Sequence, residues 1–277
     1  MRAALLQLNA SDDPQANLRE TLRLLAEAAQ KGAQFILTPE VTNCVSLSRS
    51  HQRQVLATEA QDATLAAVRA QARALGVWVL IGSLALRTQD ADGRFANRSF
   101  MINPKGEIIA RYDKIHMFDV DVTPEETFRE SDGYRPGGRA VVAPCDFAAV
   151  GMTICYDLRF PLLFHALAAA GATILTVPAA FSPVTGAAHW HVLLRARAIE
   201  TGCFVLAPAQ TGQHLDAQGK GRATYGHSLV VAPWGEVLLD AGTAPGAYVF
   251  DLDLEQVASA RRRVPSLQNA RRFDGPQ

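Results

Sequence analysis

The chain has 277 residues, 48% of them hydrophobic and 19% charged, which is enough to bury a large core. Its 27 lysines and arginines balance 27 aspartates and glutamates, so no net field favours nucleic acid or an anionic membrane surface. The four cysteines show no CxxC pair and no zinc spacing, and no apolar run approaches the roughly 20 residues that span a bilayer. We expect a cytoplasmic protein with reduced thiols, no signal peptide, and no nucleic-acid or membrane partner.

Apolar strands alternate with helices along the chain. The predicted strands cover residues 3–8, 35–37, 77–81, 98–102, 107–112, 147–154, 173–177, 204–207, 227–232, 236–240 and 247–252. The first helix is predicted to follow an N-cap at Ser11 and to stop at Gly32, and the others cover 65–75, 162–170, 189–201 and a segment ending at Arg263. This alternation predicts an α/β fold, which we expect to be a single domain over 1–277 with a short tail from about 264.

Turn chemistry and periodicity describe the connections. The turn residues at 103–106 and 233–235 predict two β-hairpins from the strands beside them. Residues 117–138 are polar, rich in proline, glycine and acidic side chains, and lack periodicity, which predicts a long surface loop of the kind that often covers a site. Residues 213–225 have a similar composition and are predicted to form a second flexible loop.

Three reactive side chains occupy the same kind of position, directly after an apolar strand. Glu40 ends the sequence FILTPE, Lys114 ends EIIARYDK and Cys155 ends GMTIC. If their strands share one sheet and one direction, the three side chains meet at one edge, where open α/β sheets carry their chemistry. The spacing therefore predicts one site containing a carboxylate, an ammonium group and a thiol.

These three groups can carry out acyl transfer from an amide. A thiol with an ordinary pKa of about 8.5 is mostly protonated at neutral pH and needs activation. The Glu40 carboxylate can take the thiol proton and deliver it to a leaving amine. The Lys114 ammonium group and the backbone N–H of Tyr156 can stabilise the oxyanion, so Cys155 can form a thioester that water then hydrolyses.

Other interpretations of the same residues remain open. Cys155 can be an inert core thiol, Glu40 a helix-terminal charge and Lys114 a solvated lysine. A cysteine–histidine enzyme is an alternative, because His165, His189 and His227 follow the cysteine in the sequence.

A metal hydrolase and a non-catalytic binding protein are weaker alternatives. His189 and His191 form the only close histidine pair, and side chains two positions apart on a helix point away from each other. We therefore predict no metal site and no cofactor. A binding protein on the same fold remains an alternative because a fold does not determine a function.

Several ordered motifs resemble those of the nitrilase superfamily of carbon–nitrogen hydrolases over nearly the whole chain. They are PE at 39–40, YDKIHMFDVD at 112–121, GMTICYDLRFP at 151–161, PAAFSPVTGAAHW at 178–190, LLRARAIET at 193–201 and YGHSLVVAPWGE at 225–236. The resemblance implies a four-layer α-β-β-α sandwich and a Glu40–Lys114–Cys155 catalytic triad. It also places Glu130 of the sequence FRES at the position of a second catalytic glutamate.

Within this superfamily the motifs look most like those of enzymes that hydrolyse deaminated glutathione. The alternatives are an ω-amidase acting on α-ketoglutaramate and an N-carbamoyl amino acid amidohydrolase. The first two substrates carry a carboxylate on the acyl group, and Arg159 is the predicted cation that binds it. By resemblance, Phe181 and Thr185 lie on the substrate pocket, and the chain assembles as a homodimer or larger homo-oligomer.

Overall fold

The computed structural model describes residues 1–123, 126–216 and 219–275, and two six-stranded sheets form its centre. The strands of the first sheet are Arg2–Gln7 (β1), Phe35–Leu37 (β2), Trp78–Leu86 (β3), Ala96–Ile102 (β4), Ile108–Asp113 (β5) and Gly246–Asp251 (β16). Those of the second are Val141–Pro144 (β8), Ala149–Met152 (β9), Ile174–Thr176 (β10), Phe204–Ala207 (β11), Leu229–Val231 (β14) and Val237–Asp240 (β15). Their orders are β16-β1-β2-β3-β4-β5 and β15-β14-β11-β10-β9-β8.

Each sheet has a parallel centre and antiparallel margins. Strands β1, β2 and β3 are parallel to one another, as are β9, β10 and β11, and the remaining pairs are antiparallel. The two hairpins predicted from turn chemistry are confirmed as β4–β5 and β14–β15. Because β5 runs in the same direction as β2, the ends of both strands lie at the same edge of the first sheet.

Helices cover the outer faces of both sheets. The α-helices of the described residues are Pro14–Gln30 (α1), Arg49–Val55 (α2), Ala63–Leu75 (α3), Pro161–Ala169 (α4), Pro183–Thr201 (α5), Glu255–Arg263 (α6) and Ser266–Asn269 (α7). Short 3₁₀ turns lie at Glu59–Gln61, Glu130–Asp132 and Cys155–Arg159. None of these helices is long and apolar enough to cross a membrane.

The burial pattern of β1 shows the four layers. Ala4 and Leu6 belong to a core shared with the buried faces of α1 and α3, whereas Ala3 and Leu5 belong to the core that lies between the sheets. Side chains of a strand alternate between its two faces, so the first sheet packs on helices on one side and on the second sheet on the other. Helices α4 and α5 cover the outer face of the second sheet. The fold is the predicted α-β-β-α sandwich.

Helices α1 and α5 are among those that begin at other residues than predicted. The N-cap of α1 is Asp13, whose carboxylate accepts from the N–H of Gln15 at 2.8 Å, and not Ser11. Helix α5 begins at Pro183, six residues before the predicted start at His189, because proline fixes the first helical φ and loses no hydrogen bond there.

Two segments predicted as loops form β-hairpins. The segment 117–138 contains Asp119–Asp121 (β6) paired with Thr127–Arg129 (β7), and 213–225 lies within the pair Thr211–Leu215 (β12) and Gly221–Tyr225 (β13). Their strands are polar because each pairs only with its partner and neither joins a main sheet. Residues 124–125, 217–218 and 276–277 of the predicted loops and tail lie outside the described residues. The rest of the tail includes the short helix α7.

Candidate active site

A sharp turn at the end of β2 places Glu40. The next residue, Val41, has a positive φ of 46°, and its N–H donates to Ser83 Oγ at 2.8 Å. The preceding Gly82 lies against the Thr38 and Pro39 carbonyls, and a Cβ there would lie 2.0 Å from the Thr38 oxygen. Glycine is therefore required at this bulge of β3, which holds the turn carrying Glu40.

Lys114 brings together the buried carboxylate of Glu40 and the partly buried carboxylate of Glu130. Its Nζ donates to Glu40 Oε1 at 2.9 Å and to Glu130 Oε1 and Oε2 at 3.0 and 2.8 Å. Asn97, near the start of β4, donates from Nδ2 to Glu40 at 2.9 Å and to Glu130 at 3.4 Å. The backbone N–H groups of Ala180 and Phe118 each donate to one of the two glutamates. Each acidic side chain is thus held in place by charge-assisted hydrogen bonds.

Cys155 approaches this network from the other sheet. The three residues do not follow strands of one sheet: Glu40 and Lys114 follow β2 and β5 of the first sheet, whereas Cys155 follows β9 of the second. Cys155 has a positive φ of 49°, and its N–H donates to the Pro178 carbonyl at 2.9 Å. Cys155 lines the same cavity as Glu40, Lys114 and Ala180, so the site forms where the sheets meet.

The three groups differ in ionisation. Burial and the Glu40 charge raise the pKa of the Cys155 thiol well above its ordinary value, although Lys114 opposes them. Burial alone would raise the pKa of Glu40, but the Lys114 charge and the hydrogen bonds from Lys114, Cys155 and Asn97 outweigh it and lower that pKa. Burial would lower the pKa of Lys114, and Glu130 and Glu40 raise it instead. At rest the site holds a thiol, a carboxylate base and an ammonium group.

Asp157, which was not predicted to be a site residue, holds the turn that carries Cys155. It is fully buried and accepts from the Ile154 N–H at 2.8 Å and from the Tyr112 hydroxyl at 2.6 Å. The His116 N–H and ring Nδ1 also reach it, at 3.0 and 2.7 Å. This carboxylate therefore ties the turn of Cys155 to the end of β5. Its position two residues after Cys155 is the one feature of the sequence that could have predicted this role.

A cavity of about 230 Å³ opens beside the thiol. Aromatic rings form much of its wall, namely Phe118, Phe128, Tyr134, Tyr156 and Phe181. Three guanidinium groups also line it: Arg49, Arg129 and Arg222. Residues of the two polar hairpins therefore reach the cavity, β7 with Phe128 and Arg129, and β13 with Arg222. An apolar cavity with a few cations suits a small anionic molecule.

Of the three residues predicted to bind substrate, Phe181 lines the cavity and Arg159 and Thr185 do not. Phe181 lines the cavity and packs on Trp190, with ring centroids 4.9 Å apart. Arg159 is not among the residues that line the cavity, although its guanidinium group lies over the Phe181 and Tyr156 rings at 5.5 and 5.9 Å and 3.2 Å from His189 Nδ1. Thr185, in the first turn of α5, is not among the residues that line the cavity.

The alternative nucleophile partners are not at this site. Within the part of the chain that the structure describes, no histidine lines the cavity beside Cys155. His165 is exposed on α4, and His189 is engaged with Arg159. The carboxylate base, the cation and the thiol are therefore the groups that can act together here. Such a set defines a hydrolase that works through a thioester.

Comparison with known proteins identifies the family. The profile of the carbon–nitrogen hydrolase family matches residues 2–262. The deaminated glutathione amidase of Yersinia enterocolitica is 40% identical over 270 residues, which is 97% of this chain and 92% of the relative. The NitFhit protein of C. elegans superimposes with a TM-score of 0.89 at 30% identity; the match covers 98% of this chain and 65% of that one, less than two thirds of its length.

A second solved relative has a reactive cysteine in its active site. A mutant of the amidase from Nesterenkonia sp. AN1 superimposes with a TM-score of 0.77 at 29% identity, over 96% of this chain and 98% of that chain. Its structure shows the Michael addition of acrylamide at the active-site cysteine of that enzyme. The chain described here belongs to the carbon–nitrogen hydrolase family. It is an enzyme that hydrolyses carbon–nitrogen bonds, as its motifs predicted.

Proposed function

We propose that the protein is a cysteine-dependent amidase that hydrolyses deaminated glutathione to α-ketoglutarate and cysteinylglycine. The observation that carries this proposal is the contact of a buried thiol with an ionised carboxylate whose other neighbour is a buried ammonium group. The name of the Yersinia enterocolitica relative supports the choice of substrate. The catalytic residues are Cys155, Glu40 and Lys114, with Glu130 beside them.

In the first half of the reaction, Cys155 Sγ attacks the amide carbonyl as its proton passes to Glu40. Lys114 Nζ and the Tyr156 N–H stabilise the oxyanion of the tetrahedral intermediate. Tyr156 is the second residue of a 3₁₀ turn, where an N–H has no partner within the turn. Glu40 then gives the proton to the leaving nitrogen, the C–N bond breaks, and a thioester forms on Cys155.

In the second half, Glu40 acts as a base once more. It takes a proton from water, whose oxygen attacks the thioester carbonyl. The C–S bond then breaks and the proton on Glu40 returns to the sulfur. Glu130 accepts from Lys114 Nζ at 2.8 Å and from the Phe118 N–H at 2.7 Å. We assign Glu130 the role of fixing the ammonium group through both half-reactions.

The substrate carboxylate calls for a cation in the cavity, and Arg222 meets this requirement better than Arg159. Arg222 reaches the Ala180 carbonyl through Nη2, and the Ala180 N–H donates to Glu40, so the guanidinium group lies close to the base. Its Nε is buried and has no hydrogen-bond partner among the described residues. A buried donor without a partner is costly unless a ligand satisfies it.

The proposal is tested with a panel of three amides, deaminated glutathione, α-ketoglutaramate and an N-carbamoyl amino acid, by measuring keto acid, ammonia and amine release. We expect deaminated glutathione to have the highest kcat/KM. Preference for α-ketoglutaramate would support the ω-amidase alternative instead. Turnover of none of the three would refute this choice of substrate.

Variants then test the residue roles. Cys155→Ser, Glu40→Gln and Lys114→Ala should each lower kcat by about 10³-fold or more, because members of one catalytic unit fail together. The half-buried Cys145→Ser serves as a matched thiol control and should keep full activity. An electrophilic amide analogue should add once, at Cys155, by mass spectrometry. If the Lys114 and Glu40 variants stay active, the triad assignment is wrong.

We propose further that the enzyme acts in the cytoplasm as a homodimer or larger homo-oligomer and needs no metal or cofactor for turnover. Four free cysteines without a disulfide among the described residues support a reducing compartment. Exposed apolar side chains on α4 and α5, including Leu162 at 84% and Val192 at 66% exposure, support burial against a second copy.

A further inference from the structure

Two histidines and an aspartate converge on the outer side of the second sheet, away from the thiol. His191 lies on α5, His227 directly before β14, and Asp240 at the end of β15. His191 Nε2 lies 2.9 Å from Asp240 Oδ2, and His227 Nδ1 lies 2.9 Å from Oδ1 and 3.2 Å from Oδ2. One ligand atom from each residue lies within 4.8 Å of the other two.

This donor set fits a divalent transition-metal ion. Ligand bonds of about 2.0–2.2 Å at tetrahedral angles place donor atoms roughly 3.4 Å apart, close to the nitrogen–oxygen separations in this cluster. Two imidazoles and one carboxylate form a common three-ligand set for zinc, with water in the fourth position. The three side chains are between 26% and 34% exposed, so an ion and its water can enter from solvent.

We propose that His191, His227 and Asp240 bind one divalent transition-metal ion of the zinc class. For the ion to bind, the ring hydrogen that now faces Asp240 moves through solvent to the other nitrogen of each imidazole, and the freed nitrogen coordinates the ion while the ring stays neutral. The Asp240 carboxylate supplies the negative charge that such an ion needs.

The groups around the cluster hold its ligands in this arrangement. The His227 backbone is fixed on both sides, because its N–H donates to the Gly242 carbonyl at 2.6 Å and its carbonyl accepts from Trp190 Nε1 at 2.8 Å. The Tyr225 ring stacks on the His227 ring with centroids 4.5 Å apart. The Gly242 N–H donates to Asp240 Oδ1 at 2.9 Å. Preorganised ligands reduce the entropy lost on binding.

The site is separate from the thioester chemistry. None of its three residues is among those that line the cavity beside Cys155. The ion would instead tie α5 to the β14–β15 hairpin and so act as a structural clamp. The sequence did not predict this cluster because the histidine closest to His191 in the chain is His189, which is not one of its partners. The partners of His191 lie 36 and 49 positions further on, and only the fold brings them together.

Equilibrium dialysis against Zn²⁺ at pH 7.5 tests the proposal, using the full chain with Cys155→Ser so that the active-site thiol takes up no metal. We expect one equivalent to bind at micromolar free Zn²⁺ and to raise the melting temperature. His191→Gln and Asp240→Asn should each weaken binding at least about tenfold, a loss that even outer-shell partners cause when mutated.

His165→Gln is the matched control, because this histidine is exposed on α4 outside the cluster, and it should leave Zn²⁺ binding unchanged. Circular dichroism of each variant checks that it is folded. The proposal is overturned if no Zn²⁺ binds at micromolar concentration. It is equally overturned if folded His191→Gln and Asp240→Asn proteins bind Zn²⁺ as tightly as their parent.

Discussion

At Glu40, burial and charge act in opposite directions on one carboxyl group. Burial favours the protonated acid, and the Lys114 ammonium group with three hydrogen bonds favours the carboxylate. The balance leaves a base that is ionised while the neighbouring Cys155 thiol is neutral. The pair is therefore ready for proton transfer when a substrate carbonyl arrives, and no histidine is required.

The pH dependence of kcat/KM follows from this balance. Because the pKa of Glu40 is lowered, the carboxylate persists as pH falls, and the acid limb should lie below its ordinary value of 4.5. Initial rates over a pH series measure the limb. Each sample is also returned to pH 7.5 and assayed again, which separates ionisation from irreversible loss of enzyme. A limb near pH 6.5, the ordinary pKa of histidine, would contradict a glutamate base and indicate a Cys–His enzyme.

Substrate affinity should distinguish the candidate arginines. Arg222→Gln should raise KM for deaminated glutathione by about 10- to 100-fold, because a hydrogen bond to a charged group contributes about 1.5–3 kcal/mol. Arg159→Gln should change KM less than about threefold, since Arg159 is not among the residues that line the cavity. Arg129→Gln is the control, as Arg129 lines the cavity but pairs with Asp121 at 2.7 Å. A large rise in KM for Arg159→Gln with none for Arg222→Gln would show that Arg159, and not Arg222, binds the substrate carboxylate.

Among the elements, the β12–β13 hairpin is held near its turn by a buried histidine. His214 Nδ1 lies 2.6 Å from the Ala10 carbonyl and its Nε2 lies 2.7 Å from Thr224 Oγ1. Burial lowers the pKa of His214 to about 4, and the Arg222 charge adds to that effect. This hairpin supplies Arg222 to the cavity, so the neutral state of His214 helps to hold one wall of the site.

Stability should therefore fall in mild acid. The unfolded chain takes up a proton at His214 below pH 6.5, whereas the folded chain does so only near pH 4, so stability is full above 6.5 and is lost as pH falls towards 4. This residue alone should lower the free energy of unfolding by about 2 kcal/mol between pH 7 and pH 5. Urea unfolding at both pH values measures it. His214→Gln should remove that part of the loss, and His165→Gln should keep it; equal losses in all three proteins would refute the assignment.

Prediction from sequence succeeded for the strands whose apolar residues pack in the core of a main sheet. Strands such as β2 and β9 pack in the core and therefore form apolar runs that can be recognised in the sequence. The reactive residues that follow them, Glu40 and Cys155, could be located for that reason. The polar β6–β7 and β12–β13 hairpins carry no such pattern, and their strands were predicted as loops. Asn97 and Asp157 were not predicted as site residues, because polar residues near strands are common in any sequence. Only the fold shows that Asn97 donates to Glu40 and that Asp157 holds the turn of Cys155.

For the molecule as a whole, the apolar side chains on α4 and α5 predict self-association. Light scattering after size exclusion should give at least a dimer at micromolar concentration. The double variant Val192→Glu with Ile199→Glu, residues that are 66% and 53% exposed, should elute as a monomer, because buried charges without partners oppose the contact. Ile109→Glu on β5, where the native side chain is 38% exposed, is the control and should leave the assembly intact. A monomeric parent protein would refute the prediction.

Cys155 and Glu40 come from different sheets, so a protein can inherit both residues without inheriting the distance between them that the proposed reaction needs. Phe147, in the turn between β8 and β9, packs on Phe35 and Trp78 of the first sheet with ring centroids 5.2 and 5.8 Å away. Contacts of this kind set the spacing of the sheets, and with it the distance from Cys155 to Glu40. A chimaera joining residues 1–140 to the second half of a relative would keep every reactive side chain. Its turnover would then depend on aromatic packing in the interior, which the motifs around those side chains do not encode.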